Sequence, residues 1–206
     1  MTGESRIPRA TAAPPALNTD ATDATALAKQ ALRAALKQAR AAVDPATRVQ
    51  WDAAIGAQLL AWWRLRQFPD IGVYWPLAGE PDLRAAYAEL ADAGVRLALP
   101  VVMAREHALA FAEWTPGETM AKDLLGMTVP ARLRMVERPA ALVIPCLGFS
   151  DEGYRVGYGG GYYDRTLAEA LRPATVGVAY SAQRAVFSPA PFDVALDVIF
   201  TEKPAL

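Results

Sequence analysis

Short apolar runs alternate with amphipathic segments along most of this chain, and that alternation restricts the fold more than any other feature. Ile71 to Trp75 reads as a strand, Leu83 to Ala93 as a helix ended by Gly94, and Val95 to Val102 as a second strand closing on Pro100. A polar, hairpin-like stretch containing Phe111 and Trp114 follows, and Ala141 to Ile144, Thr175 to Ala179 and Val194 to Phe200 supply further strands. Two helices come first: one from about Ala24 to Ala42, and one to about Arg66 whose start is marked by the cap and first-turn pair Asp44 and Pro45. In the second, Trp51, Ile55, Leu59 and Trp62 mark a buried face. Strands separated by helices predict an α/β layered domain with a largely parallel or mixed central sheet flanked by helices. Ligands of such sheets gather beyond the carboxyl ends of the strands.

The strand Ala141 to Ile144 leads towards a glycine-saturated segment, Y-R-V-G-Y-G-G-G-Y-Y-D-R, from Tyr154 to Arg165. Gly157, Gly159, Gly160 and Gly161 remove every Cβ from one wall of the turn, so backbone N–H groups can approach an anion, with phosphate the expected one. A helix opening at Tyr162 and running to about Leu171 adds positive potential at the same spot. Asp164 then sits beside the phosphate, where a carboxylate becomes useful if a hard cation such as Mg²⁺ lies between them. The alternative is a plain turn between strand and helix; Arg155, Asp164 and Arg165 favour the anion site. No Gly-Lys-Ser or Gly-Lys-Thr ending is present, and the late position of the loop argues against a dinucleotide fingerprint.

Composition fits an ordinary enzyme without identifying one. A chain of 206 residues is long enough for one domain, burying roughly 70% of its unfolded surface. A net charge of −1 provides no long-range field for nucleic acid or an anionic membrane. Cys146 is the sole cysteine, which excludes an intramolecular disulfide, and its Ile-Pro-Cys-Leu setting reads as core. His107 is the sole histidine and reads as loop or surface, with no zinc cluster available to it. Residues 1–26, rich in Ala, Thr and Pro, read as a disordered leader preceding a single α/β catalytic domain over 27–206. Glu4, Asp20 and Asp23 argue against an acid-poor transit peptide, and no run of about eighteen apolar residues occurs, so a cytoplasmic protein is expected.

Several polar residues have both a structural and a functional reading. On the first helix, Leu32, Leu36, Ala39 and Val43 fall on one face, and Lys29, Arg33, Lys37 and Arg40 form a basic stripe that is either solvated or anion-binding. Glu80, in a Gly-Glu-Pro turn, is either a helix-start acid or a ligand-binding carboxylate. Asp193, in Pro-Phe-Asp, reads alone as a turn acid.

The wider signature reads Ile144-Pro145-Cys146-Leu147-Gly148-Phe149, then Gly153-Tyr154-Arg155-Val156-Gly157-Tyr158-Gly159-Gly160-Gly161-Tyr162-Tyr163-Asp164-Arg165. It resembles that of the 5-formyltetrahydrofolate cyclo-ligase family, also called 5,10-methenyltetrahydrofolate synthetases. Weaker landmarks extend the resemblance from about Ala28 to Glu202: Lys29 and Arg33, Tyr74-Trp75-Pro76 with Glu80, Leu99-Pro100-Val101, and Phe192-Asp193-Val194 with Asp197. Cys146, Ser150 and Phe192 depart from the family's usual glycine, aspartate and histidine. The resemblance implies ATP- and Mg²⁺-dependent conversion of 5-formyltetrahydrofolate to 5,10-methenyltetrahydrofolate, with release of ADP and phosphate and without an obligate protein partner. It implies that Lys29, Arg33 and Arg155 are catalytic cations at the nucleotide phosphates, leaving Lys37 and Arg40 solvated. ATP would also meet Val156, Gly157, Tyr158, Gly159, Gly160, Gly161, Tyr162 and Tyr163. Folate would meet Trp75 and Glu80 together with Tyr158, Gly159, Gly160, Gly161 and Tyr162, although core packing is the other reading of Tyr158 and Tyr162. Asp164 and Asp193 would hold Mg²⁺. A non-catalytic nucleotide or folate binder, and a phosphotransferase acting on another small acceptor, are the competing readings.

Overall fold

The computed structural model describes residues 19–169 and 171–203, so residues 1–18 of the expected leader lie outside the described residues. The chain divides into two units, Met1–Leu32 and Arg33–Leu206. Helix α1 (Thr19–Ala41) begins five residues before the expected Ala24, and Lys29 stands on it in the first unit. The second unit carries the sheet.

Helix α2 (Pro45–Arg66) starts as expected: the Asp44 carboxylate accepts the Thr47 N–H at 3.0 Å and Pro45 needs no partner for an N–H it lacks. There follow β1 (Asp70–Gly72), α3 (Arg84–Asp92), β2 (Arg96–Val101), β3 (Ala110–Trp114), β4 (Met120–Lys122), β5 (Thr128–Pro130) and β6 (Met135–Val136). The chain then forms β7 (Ala141–Pro145), β8 (Gly148–Phe149), β9 (Arg155–Val156), α4 (Tyr162–Leu167), β10 (Ala174–Val178) and β11 (Val198–Phe200). Seven strands form one sheet in the order β11-β10-β7-β1-β2-β3-β6. The first five are mutually parallel, and β3 and β6 add an antiparallel edge. This is the mixed α/β sheet that the alternation predicts. The stretch around Phe111 and Trp114, read as hairpin-like, is the sheet's antiparallel margin followed by the β4–β5 hairpin.

Alternate residues of the parallel strands serve different faces. Ile71, Leu97, Leu99, Val143 and Val176 enter one core with Ile55 and Leu59 of α2 and Tyr87 and Leu90 of α3. Their neighbours Ala98, Leu142 and Ile144 enter a second core with Leu167 of α4, Phe149 and Leu196. Loops approach this second face closely: a Cβ on Gly177 would stand 2.7 Å from Leu196 Cδ1 and 3.1 Å from Cys146 Sγ. Strand β11 is shorter than the expected run over 194–200 because Leu196 donates its N–H to Gly153 O at 2.9 Å, outside the sheet. Helix α4 ends four residues before the expected Leu171, ahead of Pro173, whose ring disfavours helix in the residue preceding it.

Cys146 is 1% exposed, and burial pushes its thiol up to about 12. Native protein held at about pH 8 should therefore resist iodoacetamide for hours and react within minutes once unfolded, because the thiolate is the nucleophile. Mass spectrometry of the alkylated protein reads this directly, and rapid native labelling would contradict the buried placement.

Candidate functional site

The carboxyl ends of β1, β2 and β7 open into a cavity of about 340 Å³, lined there by Tyr74, Trp75, Pro100, Val102 and Pro145. Glu80 and Leu77 close one side, Leu125, Met127 and Thr128 of the β4–β5 hairpin another, and Gly157, Tyr158, Gly160, Gly161 and Tyr162 a third. This is the position at which parallel sheets collect ligands.

Between β9 and α4 the chain makes the glycine turn. Gly159 adopts φ +103° and Gly161, at the cap of α4, φ +64°, conformations that side chains with a Cβ rarely tolerate. Gly159 and Gly160 are exposed, so the loop faces solvent and the cavity rather than the interior. Arg33 donates from Nε to Gly157 O at 2.9 Å, and its guanidinium carbon lies 3.7 Å from where a Gly159 Cβ would stand. On the far side Arg165 lies over the Tyr162 ring at 5.2 Å and donates to Gly160 O. With α4 only six residues long, an anion at the turn would be drawn by its backbone amides more than by a helix dipole.

Arg155 is buried, and its guanidinium bonds Asp164 Oδ1 at 2.7 Å with Tyr163 under it at 5.8 Å. Its charge is therefore already matched. Burial, as the main cause, holds the Tyr163 phenol well above its ordinary range. Asp164 Oδ1 also accepts the Val194 N–H at 3.4 Å, and Asp193 Oδ2 accepts the Ala190 N–H at 2.7 Å, closing its own turn. Asp164 and Asp193 nevertheless border one surface hollow beside Gly161. Among the described residues, no group of three or more His, Cys, Asp or Glu is arranged to hold a metal ion.

Glu80 is 4% exposed. Its Oε2 accepts the Leu77 N–H at 2.8 Å and its Oε1 accepts the Tyr158 hydroxyl. Burial, and next the Glu80 charge, push the Tyr158 phenol above its ordinary value, which keeps it a donor. Trp75 presents its ring edge-on to Trp114 at 5.9 Å, and the Arg84 guanidinium lies 5.1 Å over it. The sequence-predicted residues Trp75, Glu80, Arg155, Gly157, Tyr158, Gly160, Gly161, Tyr162, Tyr163 and Asp164 thus meet around one cavity. Asp193 stands in the adjoining hollow, and Val156 is buried in β9 behind the loop.

Arg40 corrects the sequence reading. Expected on a solvated stripe, it is 6% exposed, with Nη1 donating to Tyr158 Oη at 2.7 Å and Nη2 to Ala78 O at 3.3 Å. The signal was present in the spacing: Arg40 is one turn beyond buried Leu36, whereas Ala39, assigned to the apolar face, is exposed. Lys37 stays outside, its Nζ 5.7 Å over the Tyr158 ring.

Comparison with known proteins points to one family. A sequence model described as the 5-formyltetrahydrofolate cyclo-ligase family matches residues 25–202. The chain is similar to the 5-formyltetrahydrofolate cyclo-ligase of Mycoplasma pneumoniae, at 44% identity over 62 residues, or 30% of this chain and 38% of that protein, less than two thirds of its length. Similarity to the Haemophilus influenzae protein of the same name is 27% over 163 residues, or 76% of this chain and 87% of that one. The solution structure of the Aquifex aeolicus 5,10-methenyltetrahydrofolate synthetase superposes with a TM-score of 0.74 at 27% identity, covering 85% of this chain and 90% of that one.

Proposed function

The chain belongs to the 5-formyltetrahydrofolate cyclo-ligase family, and from that premise we propose that it closes 5-formyltetrahydrofolate to 5,10-methenyltetrahydrofolate with hydrolysis of ATP to ADP and phosphate in the presence of Mg²⁺. One observation carries the reading: a single cavity is bordered on one side by the aromatic and carboxylate pair Trp75 and Glu80, and on the other by an exposed glycine turn. The first side suits a flat heterocycle with N–H donors and the second a phosphate chain.

The formyl oxygen attacks the γ-phosphorus, forming a P–O bond as the bond to the ADP oxygen breaks. The folate N10 then attacks the activated carbon and loses its proton, and phosphate leaves with the former formyl oxygen. An amide-like oxygen leaves poorly and a phosphate leaves well, so the protein has to align and neutralise rather than supply a nucleophile. Backbone amides over residues 157–161 and the cations Arg33 and Arg155 are assigned to the phosphates, with Val156, Tyr162 and Tyr163 backing the loop. Trp75 walls the pterin, Glu80 accepts its donors, and Tyr158 borders it. The two carboxylates bordering the hollow beside Gly161, Asp164 and Asp193, would be the residues that hold a hard cation there. When bound, Mg²⁺ would offset phosphate charge in the transition state. We assign the reaction to a single catalytic domain over 27–206, in the cytoplasm; no described helix is long and apolar enough to cross a membrane.

The test is incubation with 5-formyltetrahydrofolate, ATP and Mg²⁺ while following the ultraviolet band of the methenyl product. A rising band with stoichiometric ADP is expected. ADP release without folate would select a different phosphotransferase, and a ligand-raised melting temperature without turnover would select a non-catalytic binder.

A further inference from the structure

Three segments far apart in sequence meet at one guanidinium. Arg40, in the last turn of α1, bonds the Tyr158 hydroxyl of the glycine loop and the Ala78 carbonyl of the turn before Glu80. Its Nη1 also lies 3.9 Å from Glu80 Oε1, in an ion pair whose side chains are 6% and 2% exposed. Gly79, at φ +81°, lets that turn ride over the arginine: a Cβ there would stand 3.4 Å from Arg40 Nε. A carboxylate as buried as Glu80 is held by its compensating charge and hydrogen bonds, and breaking one side of such a pair is costly. Tyr158, in turn, is held at its hydroxyl by both charged partners while the residue as a whole remains 40% exposed.

We infer that Arg40 is a positioning residue for the folate half of the site, fixing the Glu80 carboxylate in the cavity wall and tying the glycine loop to it through Tyr158. The planar fork does what an ammonium cannot: one nitrogen serves the loop and the other the turn, so the two walls of the cavity keep a fixed separation before any ligand arrives. Tyr158 occupies the Glu80 oxygen that a ring N–H of the substrate would take, so binding exchanges one donor for another there. This last step rests on the folate reading of the site. So does the assignment of Arg40 to the folate half, whereas the tie it makes between the two walls does not.

The experiment compares Arg40→Gln and Arg40→Lys with the parent protein in two assays. In ligand-free protein, hydrogen exchange followed by mass spectrometry should quicken about tenfold at residues 77–80 and 157–161 in Arg40→Gln, since both segments lose their shared anchor. In turnover, KM for 5-formyltetrahydrofolate should rise about tenfold or more while KM for ATP moves less than about threefold, and lysine should restore part of the folate KM. Unchanged exchange at both segments, an equal rise in both KM values, or no recovery with lysine would each overturn the inference. If Arg40→Gln does not fold, Tyr158→Phe removes only the hydroxyl and should quicken exchange at 157–161; slow exchange there would count against the tie. Absence of folate turnover by the parent would refute the proposed function and leave the exchange measurement to judge Arg40 alone.

Discussion

Asp164→Asn should lower turnover of 5-formyltetrahydrofolate by about three orders of magnitude at fixed Mg²⁺, a loss typical of removing a central electrostatic element from a transition state. Its melting temperature should stay within about 4 °C of the parent, a shift worth roughly 1–2 kcal/mol in a domain of this size. Asparagine keeps an oxygen for the Arg155 guanidinium at 2.7 Å, so the loop edge holds while the charge proposed for the metal disappears. Alanine is the poorer variant. From sequence alone Asp164 is a loop-edge acid with little packing to lose, but its partner Arg155 has a side chain only 5% exposed. Stripping Asp164 to alanine would strand that cation at a cost of about 2–4 kcal/mol, discounted for the partly exposed carboxylate. Turnover should be measured across a Mg²⁺ titration, beside thermal unfolding. An asparagine variant turning over within about threefold of the parent, with unchanged Mg²⁺ dependence, would remove Asp164 from the metal site.

The parts of this molecule legible in its sequence are those governed by local periodicity. The parallel strands β1, β2, β7 and β10 announce themselves as short apolar runs, and α2 and α3 through Asp44, Pro45 and Gly94, because capping and alternation act over a few residues. The antiparallel edge is legible only as a hairpin-like stretch without strand bounds, since β3 takes its order from pairing with β2 and β6 from pairing with β3, not from a strong apolar pattern of their own. Likewise the contact of Glu80 with Tyr158 bridges 78 positions and has no periodic trace. Arg155 and Asp164 were each singled out, but as a phosphate cation and a metal ligand; that they bind one another follows from the hairpin of β8 and β9 feeding back beside α4. Arg40 was misassigned because a long arginine among alanines looks solvated, although the helical spacing from Leu36 pointed inward. Propensity weighs residue types, and the fold weighs which face they occupy.

Backbone conformation, rather than side-chain chemistry, is what the glycine turn contributes, and Gly159→Val tests this. At φ +103° a β-branched residue is strained by about 1–3 kcal/mol. The loop is exposed there, and the nearest group to a new Cβ is the Arg33 guanidinium at 3.7 Å, so it can relieve the strain by moving instead of unfolding the domain. That movement would turn the 157–161 amides away from the proposed phosphate site, and a misplacement of about 1 Å at a reacting group costs on the order of a hundredfold in rate. The expected result is a hundredfold fall in kcat/KM for ATP, with a melting temperature lowered by no more than about 4 °C. Gly117→Val supplies the control: Gly117 has φ +89° with nothing within 4 Å of a new Cβ and takes no part in lining the cavity. The same kind of backbone strain applied there should leave ATP kinetics unchanged. A Gly159→Val protein that binds and hydrolyses ATP like the parent would show that the turn's conformation does not grip phosphate, whatever else its glycines permit.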